Sequence, residues 1–276
     1  MSARRNHAER THTLGGMRLQ ALRKQTRKTQ LVVEADAELG SGYMQRIESG
    51  KVRQPERATL ERILAALEAG YSERRDILAL FGYLIATPRP TEDEITWARC
   101  VSQRELHELP FPAYVLDCEH RLLAWNRHVP HLFPIIADQA ARISHEHWSM
   151  LHLWFDPRYG ISALVCNPQP FFPQMVHAFR HQMQQFGNEA WYQDVYEDLM
   201  RLPLFKAAWE RASEEVPLAS AARAVVPVQL AIPHVGMLQF RIGAEPFTHD
   251  ARFRIVYLLP ADPVTMQHCA AWATAF

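Results

Sequence analysis

Residues 41–49 carry polar and apolar side chains at the spacing of a short helix. Met44 and Ile47 lie three positions apart and predict the side that docks, while Gln45 and Arg46 fall on the other side. In the major groove of DNA, Arg binds guanine and Gln binds adenine, each through two hydrogen bonds. A helix with this outer face therefore has the chemistry to read base edges.

Two polar residues stand at the start of the preceding helical stretch. Thr29 is a suitable N-cap, and Gln30 follows it in the first turn. Backbone N–H groups at such a start, together with a side-chain amide, can hold a phosphate of the DNA backbone. Val33 and Ala37 form the inner side of this helix. The two helices thus predict one element for phosphates and one for bases.

Apolar spacing extends this helical pattern over residues 14–85. It predicts five consecutive helices, in which Pro55 opens the fourth and Ser72 caps the fifth. The predicted inner faces of the first, fourth and fifth helices consist of Leu14, Met17, Ala21 and Leu22; Leu60, Ile63, Leu64 and Leu67; and Ile77, Leu80, Phe81 and Leu84. Residues 86–94 then break the pattern with two prolines and a run of charges, which indicates a linker.

The charges divide unevenly, although the whole 276-residue chain is formally neutral. Residues 1–57 hold 12 Lys and Arg but only 6 Asp and Glu, so the excess of acids lies in the remainder. A basic segment on a neutral chain favours a polyanionic partner such as DNA. A well-solvated end of the chain would give the same count.

Composition excludes several classes of protein. Apolar residues make up 48% and charged residues 22%, the balance of a globular protein rather than a disordered one. The longest apolar run, Ile77–Ala86, is too short to span a bilayer, and no apolar segment follows the basic N-terminus. The 4 cysteines lie far apart without a CxxC pair, which favours free thiols. We therefore expect a cytoplasmic protein without a membrane partner.

Beyond the linker the pattern changes to strands mixed with helices. A helix over 93–106 precedes two short apolar runs, 112–117 and 122–125, that predict a hairpin. Helical stretches over 189–201 and 203–215 follow. Strand-like segments close the chain at 225–232, 237–242 and 252–259. Strands at both ends with helices between them predict one antiparallel sheet packed on helices, an α+β domain.

An aromatic stripe marks the centre of this second region. Large apolar side chains recur at three- and four-residue steps along one predicted helix face: Phe172, Val176, Phe179, Met183 and Phe186. Such a stripe builds a packed core, and it also lines apolar cavities, because large rings rarely fill the space between a sheet and its helices. Arg180 and His177, on the flank of the stripe, either meet a carboxylate head group or face solvent.

No pattern for catalysis or metal binding emerges. The chain lacks GxSxG, GxGxxG, HExxH and P-loop motifs, and its carboxylates Asp117, Asp156 and Glu197 are scattered. His128 and His131 bracket a proline, which prevents a regular helical presentation, and no cysteine lies at ligand spacing. We expect neither an enzyme nor a metal or cofactor site.

The segment from Leu14 to Leu67 resembles the helix-turn-helix domain of the XRE, or phage-repressor-like, family. The residues that carry the likeness are Leu14-Gly15, Leu22-Arg23, Thr29-Gln30, Tyr43, Arg46–Lys51, Pro55 and Leu60. The resemblance implies a lambda-repressor-like all-α domain that binds double-stranded DNA. The candidate DNA contacts are Thr29, Gln30, Ser41, Tyr43, Gln45, Arg46, Lys51 and Arg53. A helical bundle that binds protein is the alternative.

Three acidic residues depart from the pattern of this family. Glu34 stands where the family has a small residue, Asp36 where it has an apolar one, and Glu38 at the turn glycine. Their charges beside the recognition helix lower the local positive potential. Gly42 also falls where a base-reading side chain is common, so we expect direct readout to depend on few residues.

Residues from about Phe111 to Val264 resemble the ligand-binding domain of MmyB-like transcription regulators. The matching segments are Ala113–Asp117, Leu123–Asn126, Phe155–Pro157, Pro203–Trp209 and His234–Leu238. The resemblance implies a PAS-like fold whose pocket accepts an apolar small molecule, with a long-chain fatty acid as the leading candidate. The candidate ligand contacts are Tyr114, Leu116, Trp125, Asn126, Phe133, Trp148, Trp154, Phe179, Arg180 and Met183. Arg180 is the predicted head-group contact, and Asn126 is expected to begin a helix.

Together these features predict a transcription regulator in three parts. A helix-turn-helix domain is expected over 1–85, a linker and connecting helix over 86–110, and a PAS-like ligand-binding domain over 111–276. We expect a homodimer, because one short helix reads few base pairs, with contacts from Ile77–Ala86 or from the helix that carries Trp97. The alternative is a ligand-binding sensor or protein-interaction module with a weakened DNA reader.

Overall fold

A computed structural model describes residues 13–83, 86–146, 148–187, 189–212 and 226–274. The chain divides into an N-terminal unit, Met1–Ala86 with Thr248–Ala251, and a C-terminal unit, Thr87–Phe247 with Arg252–Phe276. In the described ranges, no helix is long and apolar enough to cross a membrane. The first basic residues, Arg4, Arg5 and Arg10, lie outside the described part of the chain.

Five helices build the N-terminal unit. They are α1 (Leu14–Gln25), α2 (Gln30–Asp36), α3 (Tyr43–Glu48), α4 (Arg57–Ala66) and α5 (Tyr71–Leu80). Their apolar sides meet in one core of Leu19, Leu22, Val33, Ala37, Met44, Ile47, Leu60, Ile63, Leu64, Leu67, Ile77, Leu78 and Phe81. The predicted inner faces of the second, third and fourth helices are confirmed by this burial.

The predicted inner face of α1 is confirmed only at Leu22, which is buried, whereas Ala21 is exposed. Leu14 and Met17 are 67% and 45% exposed, and two glycines make the closest contacts of the helix instead. A Cβ atom added at Gly15 would lie 2.7 Å from the ring of Phe81, and one at Gly16 would lie 2.5 Å from a backbone oxygen of α3. Because only glycine permits such close approach, the spacing of large apolar residues misidentified the face.

The fifth helix also differs from the prediction, both in its N-cap residue and in the side chains that it buries. Gly70, not Ser72, is the N-cap of α5, and a carboxylate three residues into the helix accepts a hydrogen bond from the Gly70 amide. Leu80 is 45% exposed, whereas Leu78 is buried. Leu84 lies outside the described residues.

A five-stranded antiparallel sheet forms the centre of the C-terminal unit. Its strands are β1 (Ala113–Leu116), β2 (Leu122–Trp125), β3 (Val228–Ile232), β4 (Gly236–Pro246) and β5 (Arg254–Pro260). The spatial order is β2-β1-β5-β4-β3. The predicted hairpin is confirmed, since β1 and β2 pair with Val115 opposite Ala124. Residue 225, predicted to start a strand, lies outside the described residues.

Helices cover the two faces of this sheet. Inward and outward residues alternate along β1, so that Tyr114 and Leu116 join the larger core and Ala113 and Val115 the smaller one. The smaller core lies under α6 (Glu92–Glu108), and α15 (Pro263–Thr274) packs on β4 and β5. The larger core lies among α7 (Val129–Leu132), α8 (Pro134–Asp138), α9 (Ala140–Glu146), α10 (Met150–Phe155), α11 (Ile161–Leu164), α12 (Pro168–Phe186), α13 (Ala190–Met200) and α14 (Pro203–Arg211).

The aromatic stripe lies on α12 as predicted. Phe172, Val176, Phe179 and Phe186 are buried, and Met183 is half-buried at the edge of the same cluster. A helix after β2 was expected, but the short helices α8 to α11 were not foreseen, because each is too short to show a helical period. Residues 213–215, predicted to continue α14, lie outside the described part of the chain.

Both apolar segments considered for a dimer contact are used inside their own units. Ile77 and Phe81 are buried in the core of the N-terminal unit. Trp97 packs against Phe247 and Phe253, with ring centroids 6.0 Å away in each case. Leu80 and Val101 of the same two segments are 45% and 49% exposed, so a dimer contact through either segment stays a prediction.

Candidate DNA interface and candidate ligand site

One buried carboxylate holds the first three helices together. Glu48, at the end of α3, is 2% exposed and accepts two hydrogen bonds from Arg23, Nε to Oε1 at 2.6 Å and Nη2 to Oε2 at 3.0 Å. Gln30 Nε2 donates to Oε2 at 2.7 Å. Burial alone would raise the pKa of Glu48, but these hydrogen bonds outweigh it, and the pKa lies below its ordinary value. The carboxylate is thus ionised and fully used within the fold.

A second buried carboxylate closes the N-terminal end of α3. Glu34 is 5% exposed, and its two oxygens accept hydrogen bonds from the amides of Gly42 at 3.0 Å and Met44 at 2.8 Å. Gly42 has φ +80°, which favours glycine, and has no side chain with which to cap the helix. Glu34 is therefore the cap of α3, and its charge is directed to the helix rather than to the outer surface.

The outer side of α3 and the turn after it present polar and basic side chains. Ser41, Gln45, Arg46, Lys51 and Arg53 are exposed, and Tyr43 is half-buried with the Arg46 guanidinium 5.8 Å from its ring centroid. Among the described residues, no carboxylate pairs with Arg46, Lys51 or Arg53. These cations are free for phosphates or base edges, as expected for a helix-turn-helix reader.

The residues at the start of α2 are partly engaged within the unit. Thr29 Oγ1 accepts a hydrogen bond from Val32 N at 3.2 Å, so it is the N-cap that the sequence predicted. The Thr29 hydroxyl hydrogen can still reach a phosphate, whereas Gln30 donates one amide hydrogen to Glu48. The two exposed acids differ: Asp36 Oδ2 lies 3.6 Å from a lysine Nζ, while Glu38 takes the left-handed φ of +53° in place of the turn glycine.

The predicted ligand-lining residues divide between the centre and the edge of one aromatic cluster. Five are buried in it: Tyr114, Leu116, Phe133, Trp154 and Phe179. Three are half-buried at its edge: Trp125, Trp148 and Met183. Phe133 packs edge-on against Trp154 at 5.2 Å, and Phe179 stacks on Tyr192 at the same centroid distance. The rings thus meet in one apolar volume between the sheet and its helices.

A buried arginine lies inside this aromatic cluster. Arg254, at the start of β5, is 8% exposed, and its Nη2 donates to His120 Nδ1 at 2.8 Å. Among the described residues, no carboxylate lies within ion-pair distance of its guanidinium. Burial lowers the pKa of Arg254, and Asp117, whose carboxylate hydrogen-bonds Arg121 instead, raises it through space. The cation remains charged in an apolar core, a costly arrangement without an anion.

The groups around Arg254 are mainly hydrogen-bond donors. Because arginine only donates, His120 accepts at Nδ1 and carries its proton on Nε2. Burial and the charge of Arg254 hold the pKa of His120 well below its ordinary value, so the ring is neutral. Within the described residues, His120 Nε2 and Trp154 Nε1 make no hydrogen bond of normal geometry, although Gln182 lies beside His120 and Tyr114 beside Trp154. Burial raises the pKa of Tyr114, which keeps its hydroxyl protonated.

Comparison with known protein families gives two matches. A helix-turn-helix domain matches residues 16–77, and the MmyB-like transcription regulator ligand binding domain matches residues 99–271, more than half of the chain. The chain belongs to the MmyB-like transcription regulators. A search of curated proteins found no significant match.

This regulator therefore joins a DNA-binding helix-turn-helix region to a domain that responds to a small molecule. The fold expected from the sequence, an all-α N-terminal domain and an α+β C-terminal domain, is confirmed. Neither matched family is an enzyme family. The identity of the ligand and the effect of the ligand on DNA binding do not follow from the matches.

Asn126 holds backbone in the regulator rather than starting a helix. Its Oδ1 accepts from the amides of Ala113 and His128, both at 3.2 Å, and its Nδ2 donates to Phe111 O at 2.8 Å. The helix after β2 begins only at Val129. All three contacts tie the chain after β2 to the start of β1, which leaves little hydrogen-bonding capacity for a ligand.

Arg180, the predicted head-group contact, is held at the end of α14. Its Nη1 donates to Ala212 O at 2.8 Å and its Nη2 to Trp209 O at 2.9 Å, while the guanidinium lies 4.1 Å from the Trp209 ring centroid. The structure thus offers Arg254 as the cation that faces the apolar cluster. The sequence carried a signal for it, since period-two alternation puts Arg254 on the face of β5 with Val256 and Leu258.

Proposed function

We propose that this regulator binds an amphiphile with an apolar chain and an anionic head, a long-chain fatty acid in the first instance, and that the ligand changes its affinity for operator DNA. The observation that carries the proposal is the buried Arg254, which among the described residues has a neutral histidine but no carboxylate as its partner. A carboxylate supplied by the ligand would complete the pair with two parallel hydrogen bonds.

The surroundings of Arg254 suit both the anionic head and the apolar chain of such a ligand. The N–H groups of His120 and Trp154, neither of which makes a hydrogen bond of normal geometry within the described residues, can donate further hydrogen bonds to a carboxylate. The aromatic cluster offers apolar surface to the chain, and each buried CH₂ contributes about 0.8 kcal/mol. A dozen methylenes therefore bind tightly even after the loss of their freedom is subtracted.

The experiment compares fatty acids with neutral analogues on the full chain. We expect saturated acids from octanoate to stearate to raise the melting temperature progressively up to an optimum length, and the corresponding alcohols to bind about tenfold or more weakly. Arg254→Met should abolish the preference for the acid. Arg180→Met is the matched control and should keep it. Equal binding of acid and alcohol by the unaltered chain would contradict the anionic anchor.

For DNA, we propose that the exposed side of α3 reads base edges and that Lys51 and Arg53 contact phosphates. Arg46→Ala should weaken binding to a selected operator by about 1–3 kcal/mol and relax specificity at one base pair. Arg57→Ala, an exposed arginine of α4 that pairs with Glu61, is the control. Selection from genomic fragments at low salt supplies the operator, and log K should fall linearly with log salt.

We further propose that the working species is a homodimer in the cytoplasm. α3 has only six residues, so one copy of the protein contacts few base pairs. A dimer that binds two half-sites about one helical turn of DNA apart contacts more base pairs and binds more tightly. Light scattering at tens of micromolar protein, with and without operator, measures this directly. A monomer mass on DNA that contains a single half-site would contradict it.

A weakened DNA reader is the second candidate, favoured by the exposed acids Asp36 and Glu38 beside the reading surface. In that case the C-terminal unit would act as a sensor for a protein partner. Failure of the genomic selection to enrich any fragment, together with intact fatty-acid binding, would favour this second function.

A further inference from the structure

The segment between α5 and α6 is held by side chains at three successive residues. Thr87 is 4% exposed, its N–H donates to Glu189 Oε1 at 2.6 Å, and its carbonyl accepts from Trp191 Nε1 at 2.7 Å. These two partners flank the start of α13. The segment has no regular secondary structure here, so these side chains take the place of a hydrogen-bond ladder.

The next two residues are held from other elements. Pro88 O accepts from Arg252 Nη1 at 3.2 Å, and the Arg252 guanidinium also binds Glu94 Oε1 at 2.5 Å. The exposed Arg89 pairs with Glu119 Oε2 at 3.3 Å, in the turn between β1 and β2, and with an aspartate of α13. We call residues 87–89 and these partners the linker clasp.

Each element of the linker clasp also contributes a neighbouring residue to the aromatic cluster. Trp191 precedes Tyr192, which stacks on Phe179, and Glu119 precedes His120, whose ring centroid lies 5.7 Å from that of Phe179. At the start of β5, Arg252 in the clasp lies two positions before Arg254 in the cluster. Three independent elements therefore contact the linker on one side and the ligand site on the other.

We propose that the linker clasp reports occupancy of the ligand site to the linker. The inference rests on the proposed ligand function and adds the route by which the ligand acts. A carboxylate at Arg254 and an acyl chain among the rings change the positions of His120, Tyr192 and Arg254. Because Glu119, Trp191 and Arg252 are one or two residues away, the hydrogen bonds at 87–89 change with them. A ligand shifts such an equilibrium by its difference in affinity for the two arrangements.

Hydrogen–deuterium exchange of the full chain measures this, with palmitate as the probe. We expect palmitate to change the exchange rate of the peptide that spans residues 86–94 by about fivefold or more, since one hydrogen bond of about 1 kcal/mol corresponds to that factor. Arg89→Gln and Trp191→Phe should speed exchange of this peptide without ligand and reduce the change on addition of palmitate. Both variants should bind palmitate within about threefold of the unaltered chain, within the scatter of peripheral changes.

Arg104→Gln is the matched control for Arg89→Gln, because Arg104 forms an exposed ion pair with Glu108 on α6, outside the linker clasp. Its exchange pattern and its response to palmitate should equal those of the unaltered chain. Palmitate binding without any change at residues 86–94 would overturn the clasp and leave the ligand function standing. Failure of palmitate to bind at all would overturn the ligand function and, with it, the clasp.

Discussion

Glu48 in the N-terminal unit and Arg254 in the C-terminal unit are both buried charged side chains, and the two charges are treated in opposite ways. Glu48 receives hydrogen bonds from Arg23 and Gln30 and has an opposite charge as its nearest partner. Arg254 donates to the neutral His120, and no other side chain in the described part of the structure accepts a hydrogen bond from it. Both have similar burial, 2% and 8% exposed.

This difference separates a structural charge from one that belongs to a binding site. A buried ion pair with all its hydrogen bonds made is complete, and the protein gains nothing further from a ligand there. A buried cation without an anion carries an unmet desolvation cost, which a ligand of opposite charge can remove. The comparison therefore favours Arg254 as the anchor of the proposed ligand.

Glu48→Ala should lower the free energy of unfolding of the N-terminal unit by about 3–5 kcal/mol, because it removes a buried, fully hydrogen-bonded carboxylate and leaves the half-buried Arg23 without its counter-ion. Urea denaturation followed by circular dichroism measures the change. Glu61→Ala is the control, since Glu61 is half-exposed and its pair with Arg57 contributes little. If Glu48→Ala lowered the free energy of unfolding by less than 1 kcal/mol, Glu48 would not be a structural charge, and the contrast between Glu48 and Arg254 would be wrong.

Arg254→Met should leave the ligand-free protein as stable as before or more stable, by about 1–3 kcal/mol, because an apolar side chain of similar length removes a buried and unpaired charge. Thermal melting of delipidated protein tests this. The same substitution should abolish the stabilisation by fatty acid. If Arg254→Met destabilised the ligand-free protein as strongly as Glu48→Ala, Arg254 would be structural and the site would have to lie elsewhere.

The neutral state of His120 predicts a pH dependence of stability. Its folded pKa lies below the ordinary value of 6.5, so between pH 6.5 and the folded pKa only the unfolded chain binds the proton. The free energy of unfolding should therefore fall as the pH decreases below 6.5, by about 1.4 kcal/mol per pH unit from this group, and be unaffected by it above 6.5.

His120→Asn isolates this contribution. Asparagine tolerates the left-handed φ of +62° at this position, and its side-chain oxygen can still accept from Arg254. Denaturant titrations of both proteins from pH 7.5 to pH 5 should diverge only below 6.5, with the steeper fall in the unaltered protein. Parallel curves over the whole range would show that His120 is not held neutral by the fold.

Glu38→Gly should stabilise the N-terminal unit by about 1 kcal/mol, because glycine accepts the φ of +53° without strain. Glu38→Gln keeps the strain and removes only the charge, so it should leave stability within about 0.5 kcal/mol. The two variants also separate causes in DNA binding. If both strengthen it equally, the acid at this turn weakens the reader through its charge.

Local periodicity accounts for the parts of the fold that were predicted. The inner faces of α2, α3, α4 and α12 follow from apolar spacing within a helix, and the N-cap at Thr29 follows from one side chain and the turn beside it. Such features depend on residues within four positions of each other. The face of α1 failed for the opposite reason, since its glycines contact residues from other helices.

The sequence by itself determined which residues are apolar, where the five N-terminal helices and the longer elements of the second unit lie, and, through resemblance, the two kinds of domain. Only the tertiary structure decided which charged groups are satisfied. Glu34 reaches the amides of α3 across the turn, and Arg254 meets His120, 134 positions away in the chain. In the amino-acid sequence, an arginine on a buried strand face gives the same pattern whether or not it has a counter-ion. Whether it has a counter-ion depends on what the packed elements bring beside it, and for Arg254 the described fold brings none.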